Sequence, residues 1–61
     1  MRSIKEILMS RDDMSSEEAN QLIKDATESL NRCLEEGDMN RAELVCEEWF
    51  GLEPDYIYEL I

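Results

Sequence analysis

A chain of 61 residues allows one domain, and a net charge of −10, from 16 acidic against 6 basic side chains, sets it against nucleic-acid phosphates and anionic membrane surfaces. Two cysteines and no histidine argue against a structural zinc site, which wants four soft ligands. No apolar run approaches the roughly 20 residues of a membrane span, and residues 1–10, interrupted by Glu6 and followed by no small-residue cleavage site, lack a signal-peptide pattern. A cytoplasmic location is the expectation.

So small a domain hides a modest share of its surface and needs regular helix packing or self-association for stability. Charged residues are abundant, at 36%, but the apolar residues are periodic, so the chain reads as folded. Gly37, Gly51 and Pro54 are the only glycines and proline, which leaves few places to turn. The fold class predicted is all-α.

A first short helix is predicted over residues 4–10. Ser3 and Glu6 have the spacing of a capping box, in which each side chain takes the other's orphan backbone N–H. Ile4, Ile7 and Leu8 give it one apolar edge. Arg11, Asp12 and Asp13 follow as a polar break.

The second helix is predicted over 16–36. Ser15 and Glu18 form another capping box, with Met14 and Ala19 placed as a hydrophobic staple. Ala19, Leu22, Ile23, Ala26, Leu30, Cys33 and Leu34 step by three and four along one face. Gly37 stands where a left-handed residue ends a helix.

The third helix is predicted over 39–50, with Asp38 as its N-cap. Met39, Ala42, Val45, Cys46 and Trp49 form its core stripe, with Phe50 at the edge and Gly51 as the stop. Two residues between long helices dictate an antiparallel hairpin. A last short helix, 54–60, opens with Pro54 at its first position and turns Tyr56, Ile57, Leu60 and Ile61 to one side. The two short helices are expected to cover the open face of the hairpin.

In that arrangement Cys33 faces Ala42, and Cys46 lies a turn farther along. A rise of about 5.4 Å at an interaxial distance of about 8–10 Å puts their Cα atoms about 10 Å apart, beyond disulfide reach. Both are expected as buried free thiols.

The segment from Gly37-Asp38 through Ala42 to Leu52-Glu53-Pro54 resembles the second half of a tetratricopeptide repeat. Gly37, Ala42 and Pro54 fall at that family's spacing. Ala26 and Leu30 depart from it, standing where the family has a large aromatic and a small residue, and no second repeat follows. The likeness covers about a third of the chain and reads as a shared way to build a helical hairpin. The run from Glu17-Glu18-Ala19 to the Gly37-Asp38 turn, with the tail from Trp49 to Tyr56, also resembles short acidic proteins of bacteriophage and prophage gene sets. That resemblance implies no particular activity; it favours a virus-encoded effector that binds a host protein, and a phage-encoded effector or inhibitor is the functional expectation.

Enzymatic chemistry is not expected. There is no histidine, no serine or cysteine stands in a motif with a base, and residues 35–40 fail the calcium-loop pattern. No catalytic residue, metal ligand or cofactor site is predicted.

Charge distribution says more. All six basic residues, Arg2, Lys5, Arg11, Lys24, Arg32 and Arg41, precede residue 42, whereas Glu43, Glu47, Glu48, Glu53, Asp55 and Glu59 follow with nothing to offset them. Glu43 and Glu47, one turn apart, repel by about 0.2–0.5 kcal/mol. Leu44 lies opposite the core stripe, and Tyr58 at the margin of the last apolar side. The bland account is a solubilising face with one exposed leucine. The functional one is a docking surface for a protein with a basic surface, formed by Glu43, Leu44, Glu47, Glu48, Asp55 and Tyr58, with charge for steering and Leu44 or Tyr58 as anchor. Direct nucleic-acid or membrane binding is not expected. Two alternatives stay open: a DNA mimic that inhibits a nucleic-acid-binding enzyme, and a structural protein that assembles into homodimers or a small bundle.

Overall fold

The computed structural model describes residues 2–60. The chain runs through α1 (Ile4–Arg11), α2 (Ser16–Glu35), α3 (Met39–Phe50) and a 3₁₀ helix (Pro54–Glu59). No strand occurs among the described residues, and the all-α class and the hairpin of α2 and α3 stand as predicted. At about 1.5 Å per residue, the 20 residues of α2 span about 30 Å. That is close to the longest dimension of the molecule, 33 Å.

Local chemistry sets the hairpin. Ser15 Oγ accepts the Glu18 N–H at 3.1 Å while the Glu18 carboxylate accepts the Ser15 N–H at 3.3 Å. At the far end Gly37 has φ +75°. The Asp38 N–H bonds to the Cys33 carbonyl at 2.9 Å and the Gly37 N–H to Leu34 at 3.2 Å, which is the paired closure of a Schellman turn. Asp38 then begins α3 at once, its Oδ1 accepting the Arg41 N–H at 3.1 Å.

Ala26, Leu30 and Cys33 of α2 are buried with Ala42, Val45, Cys46 and Phe50 of α3 in one apolar cluster. Ile4 and Leu8 of α1 and Leu60 join it, so the flanking elements do cover the hairpin. No polar or charged residue is buried among the described residues. Cys33 and Cys46 are free and buried, as their spacing requires.

Several details differ from the sequence reading. The box at α1 is half formed: Ser3 Oγ accepts the Glu6 N–H at 3.2 Å, but the Glu6 carboxylate lies toward Arg2 at 4.0 Å. The last element is 3₁₀ and ends at Glu59, with the Leu60 N–H bonded to Ile57 at 3.0 Å. Six residues opened by a proline are too few to favour α over 3₁₀ geometry. Ile61 lies outside the described residues.

The α3 stripe is also shifted. Phe50, placed at the edge by sequence, is 2% exposed, and Trp49, expected in the core, is 36% exposed. Trp is too large to be covered fully by small neighbours. Met39 is 58% exposed, because a helical side chain leans toward its N-terminus and in the first turn there is nothing there to lean on. Leu34, at the other side of the turn, is exposed as well.

Candidate functional site

The six residues of the proposed docking surface all lie exposed. Glu43, Leu44, Glu47 and Glu48 stand on the outer side of α3, at spacings of three and four that make them neighbours. Leu44 is 43% exposed between carboxylates at one-turn spacing. Asp55 and Tyr58 stand three residues apart on the 3₁₀ helix, where i and i+3 eclipse. Tyr58 is 77% exposed, the most open large hydrophobic residue among those described. The structure thus forms two groups, four residues on α3 and two on the 3₁₀ helix that packs beside it.

Ion pairs among the described residues are Arg2–Glu6 and Arg11–Asp12, both on α1 or at its end. None reaches the carboxylates of α3. Glu59, read from sequence as one more unbalanced acid, is engaged otherwise. Its Oε2 accepts the Ile4 N–H at 2.8 Å, so a carboxylate meets the positive end of α1. Its charge adds to burial in pushing the Cys46 thiol up, burial being the larger cause. A buried thiol held protonated is a poor nucleophile.

Arg11 was also missed. Its guanidinium donates to both oxygens of Asp12, at 3.0 and 2.9 Å, and to the Phe50 carbonyl. It therefore closes the C-terminal end of α3, whose last turn carries no basic residue of its own. No sequence signal marks this contact, because the partner is a backbone atom 39 positions away.

A second feature lies on α2. Met14, Glu18, Gln21, Leu22 and Asp25 line an open groove of about 330 Å³. Met14 and Leu22 are half-buried and pack against the core. The Glu18–Leu22–Asp25 spacing is visible in the sequence, but Leu22 reads there as one more core residue. Among the described residues no group of three His, Cys, Asp or Glu side chains is placed to hold a metal ion, and no helix is long and apolar enough to cross a membrane. No protein-family model, curated protein or solved structure matches the chain.

Proposed function

We infer that this chain is a small acidic protein-interaction module, of the kind a phage would encode as an effector or inhibitor, that binds a basic surface of a host protein through α3 and the 3₁₀ helix. The observation that carries the reading is the set of exposed carboxylates on α3, Glu43, Glu47 and Glu48, without ion-pair partners among the described residues and with Leu44 open among them. Uncompensated charge at one-turn spacing costs stability, and it gives long-range attraction for a cationic partner that salt screens. Leu44 and Tyr58 supply apolar contact inside that charged field.

The test is affinity capture from cell extract on the immobilised chain, beside a variant with Glu43→Gln, Glu47→Gln and Glu48→Gln. A specific basic protein held by the wild-type chain, released by salt and lost with the triple variant, is the expected result. Retention indifferent to ionic strength, or equal in both chains, counts against the reading.

Exposure of Leu44 on the outer side of α3 and of Tyr58 on the 3₁₀ helix beside it favours a second reading, a homodimer formed through those two elements. Sedimentation equilibrium decides it. A monomer at all attainable concentrations removes it.

A further inference from the structure

We propose that the groove on α2 seats a cationic amphipathic helix of a protein partner, with an apolar residue on Met14 and Leu22 and basic residues seven positions apart on Glu18 and Asp25. The proposal rests on the reading of a basic partner and adds a second contact on a different helix from α3.

Four of the five lining residues occupy one face of α2. Glu18 and Leu22 are four apart, Leu22 and Asp25 three, and Gln21 and Asp25 four. The two carboxylates are two turns apart, about 10 Å along the axis, with Leu22 between them. Each is already oriented by the fold. Glu18 Oε1 accepts the Ser15 N–H at 3.3 Å, and Asp25 Oδ1 accepts from Gln21 Nε2 at 3.0 Å. In each case the other oxygen has no hydrogen bond among the described residues, and neither carboxylate has an ion pair. The floor is apolar and the rim negative.

That pattern selects its occupant. A small molecule wants most of its surface enclosed, and this groove is open along its length. A lysine or arginine lays its aliphatic stem on an apolar floor and keeps its charge at the edge. Two such residues on one face of a helix, with a leucine at i+3 or i+4 between them, repeat the period of α2 itself. The partner helix therefore matches both the spacing and the sign of the groove.

The probe is a synthetic helical peptide with Lys at i and i+7 and Leu at i+3 and i+4. A control of identical composition has both lysines moved two positions, off the leucine face. Binding is read by amide shifts in the ¹⁵N-labelled full chain at low salt. The expected result is shifts confined to residues 14–25 and about tenfold tighter binding than the control, the scale of two surface ion pairs. Glu18→Gln with Asp25→Asn keeps an amide oxygen for each internal hydrogen bond and removes both charges. It should lose the same factor while staying folded, with a small fall in melting temperature because the first turn of α2 loses the Glu18 charge. Equal affinity for the two peptides, or shifts on residues 43–58 with loss in the Glu43→Gln, Glu47→Gln variant, overturns the groove and leaves the α3 reading standing. No shift on residues 14–25 at millimolar peptide also overturns the groove, while the α3 reading falls only if capture by the full chain is indifferent to salt or to the α3 substitutions.

Discussion

Glu59 Oε2 and the backbone N–H of Ile4 meet at 2.8 Å across 55 positions of sequence, so the end of the 3₁₀ helix closes the start of α1. Arg11 makes the complementary contact at the other end of α1, to the last carbonyl of α3. An 8-residue helix is marginal alone. This one is held at its N-terminus by an acid and at its C-terminus by a base, each from or to another element.

Replacing Glu59 by Ala should lower stability by about 1 kcal/mol, the usual worth of an N-terminal cap with a favourable dipole term. Glu59→Gln should keep part of that, since the amide oxygen still accepts. Urea denaturation at neutral pH measures both. Equal midpoints for Ala and wild type would show that the bond contributes nothing to the fold.

Arg11 makes the acid response predictable. Its hydrogen bond, the larger cause, and its charge hold the Asp12 carboxyl below the ordinary aspartate value. A lowered folded-state pKa gives stability that is present above the unfolded value and is lost as pH falls through the folded one. Arg11→Ala should therefore be less stable than wild type at neutral pH, with the gap in urea midpoint narrowing on acidification. It should not close, because the bond to the Phe50 carbonyl does not titrate. A gap constant with pH would remove Asp12 from the account.

Two left-handed positions should respond with opposite sign. Asp13 has φ +55° and Gly37 φ +75°. Asp13→Gly relieves backbone strain and takes a negative charge from the C-terminal end of α1, for a gain of about 0.5–1 kcal/mol. Gly37→Ala should cost about 1 kcal/mol, all of it backbone, since an added Cβ meets nothing within 4 Å. Thermal or urea melts of the two variants should move in opposite directions.

The exchange of roles between Phe50 and Trp49 gives the largest expected effect. Phe50→Ala empties a buried site and should cost about 3–5 kcal/mol, against a total of about 3–9 kcal/mol for a domain of this length. It should remove about half or more of the chain's stability, seen as a large fall in the urea midpoint followed by circular dichroism. Trp49→Ala, at a partly covered site, should leave it folded. The reverse outcome would restore the stripe read from sequence.

The three α-helices and the Gly37 turn were legible in the sequence, and the last element in its place though not in its 3₁₀ geometry, because caps, glycines and apolar spacing act within a few residues. Ser15 with Glu18, the Gly37-Asp38 turn and Pro54 mark element ends by chemistry that needs no distant partner. The candidate docking residues were legible as exposed for the same reason, since they lie off the apolar face.

Tertiary structure decided what depends on distant neighbours. Whether Trp49 or Phe50 is covered, whether Glu59 is a free charge or a cap, and whether Arg11 ends one helix or two are settled by which backbone atoms α1 and the 3₁₀ helix bring alongside. The groove of Met14 and Leu22 belongs to the same class: periodicity makes Leu22 apolar-facing, but only packing leaves that face partly open. Local propensity is written residue by residue, whereas exposure and long-range polar contacts follow from how four short elements share one small core.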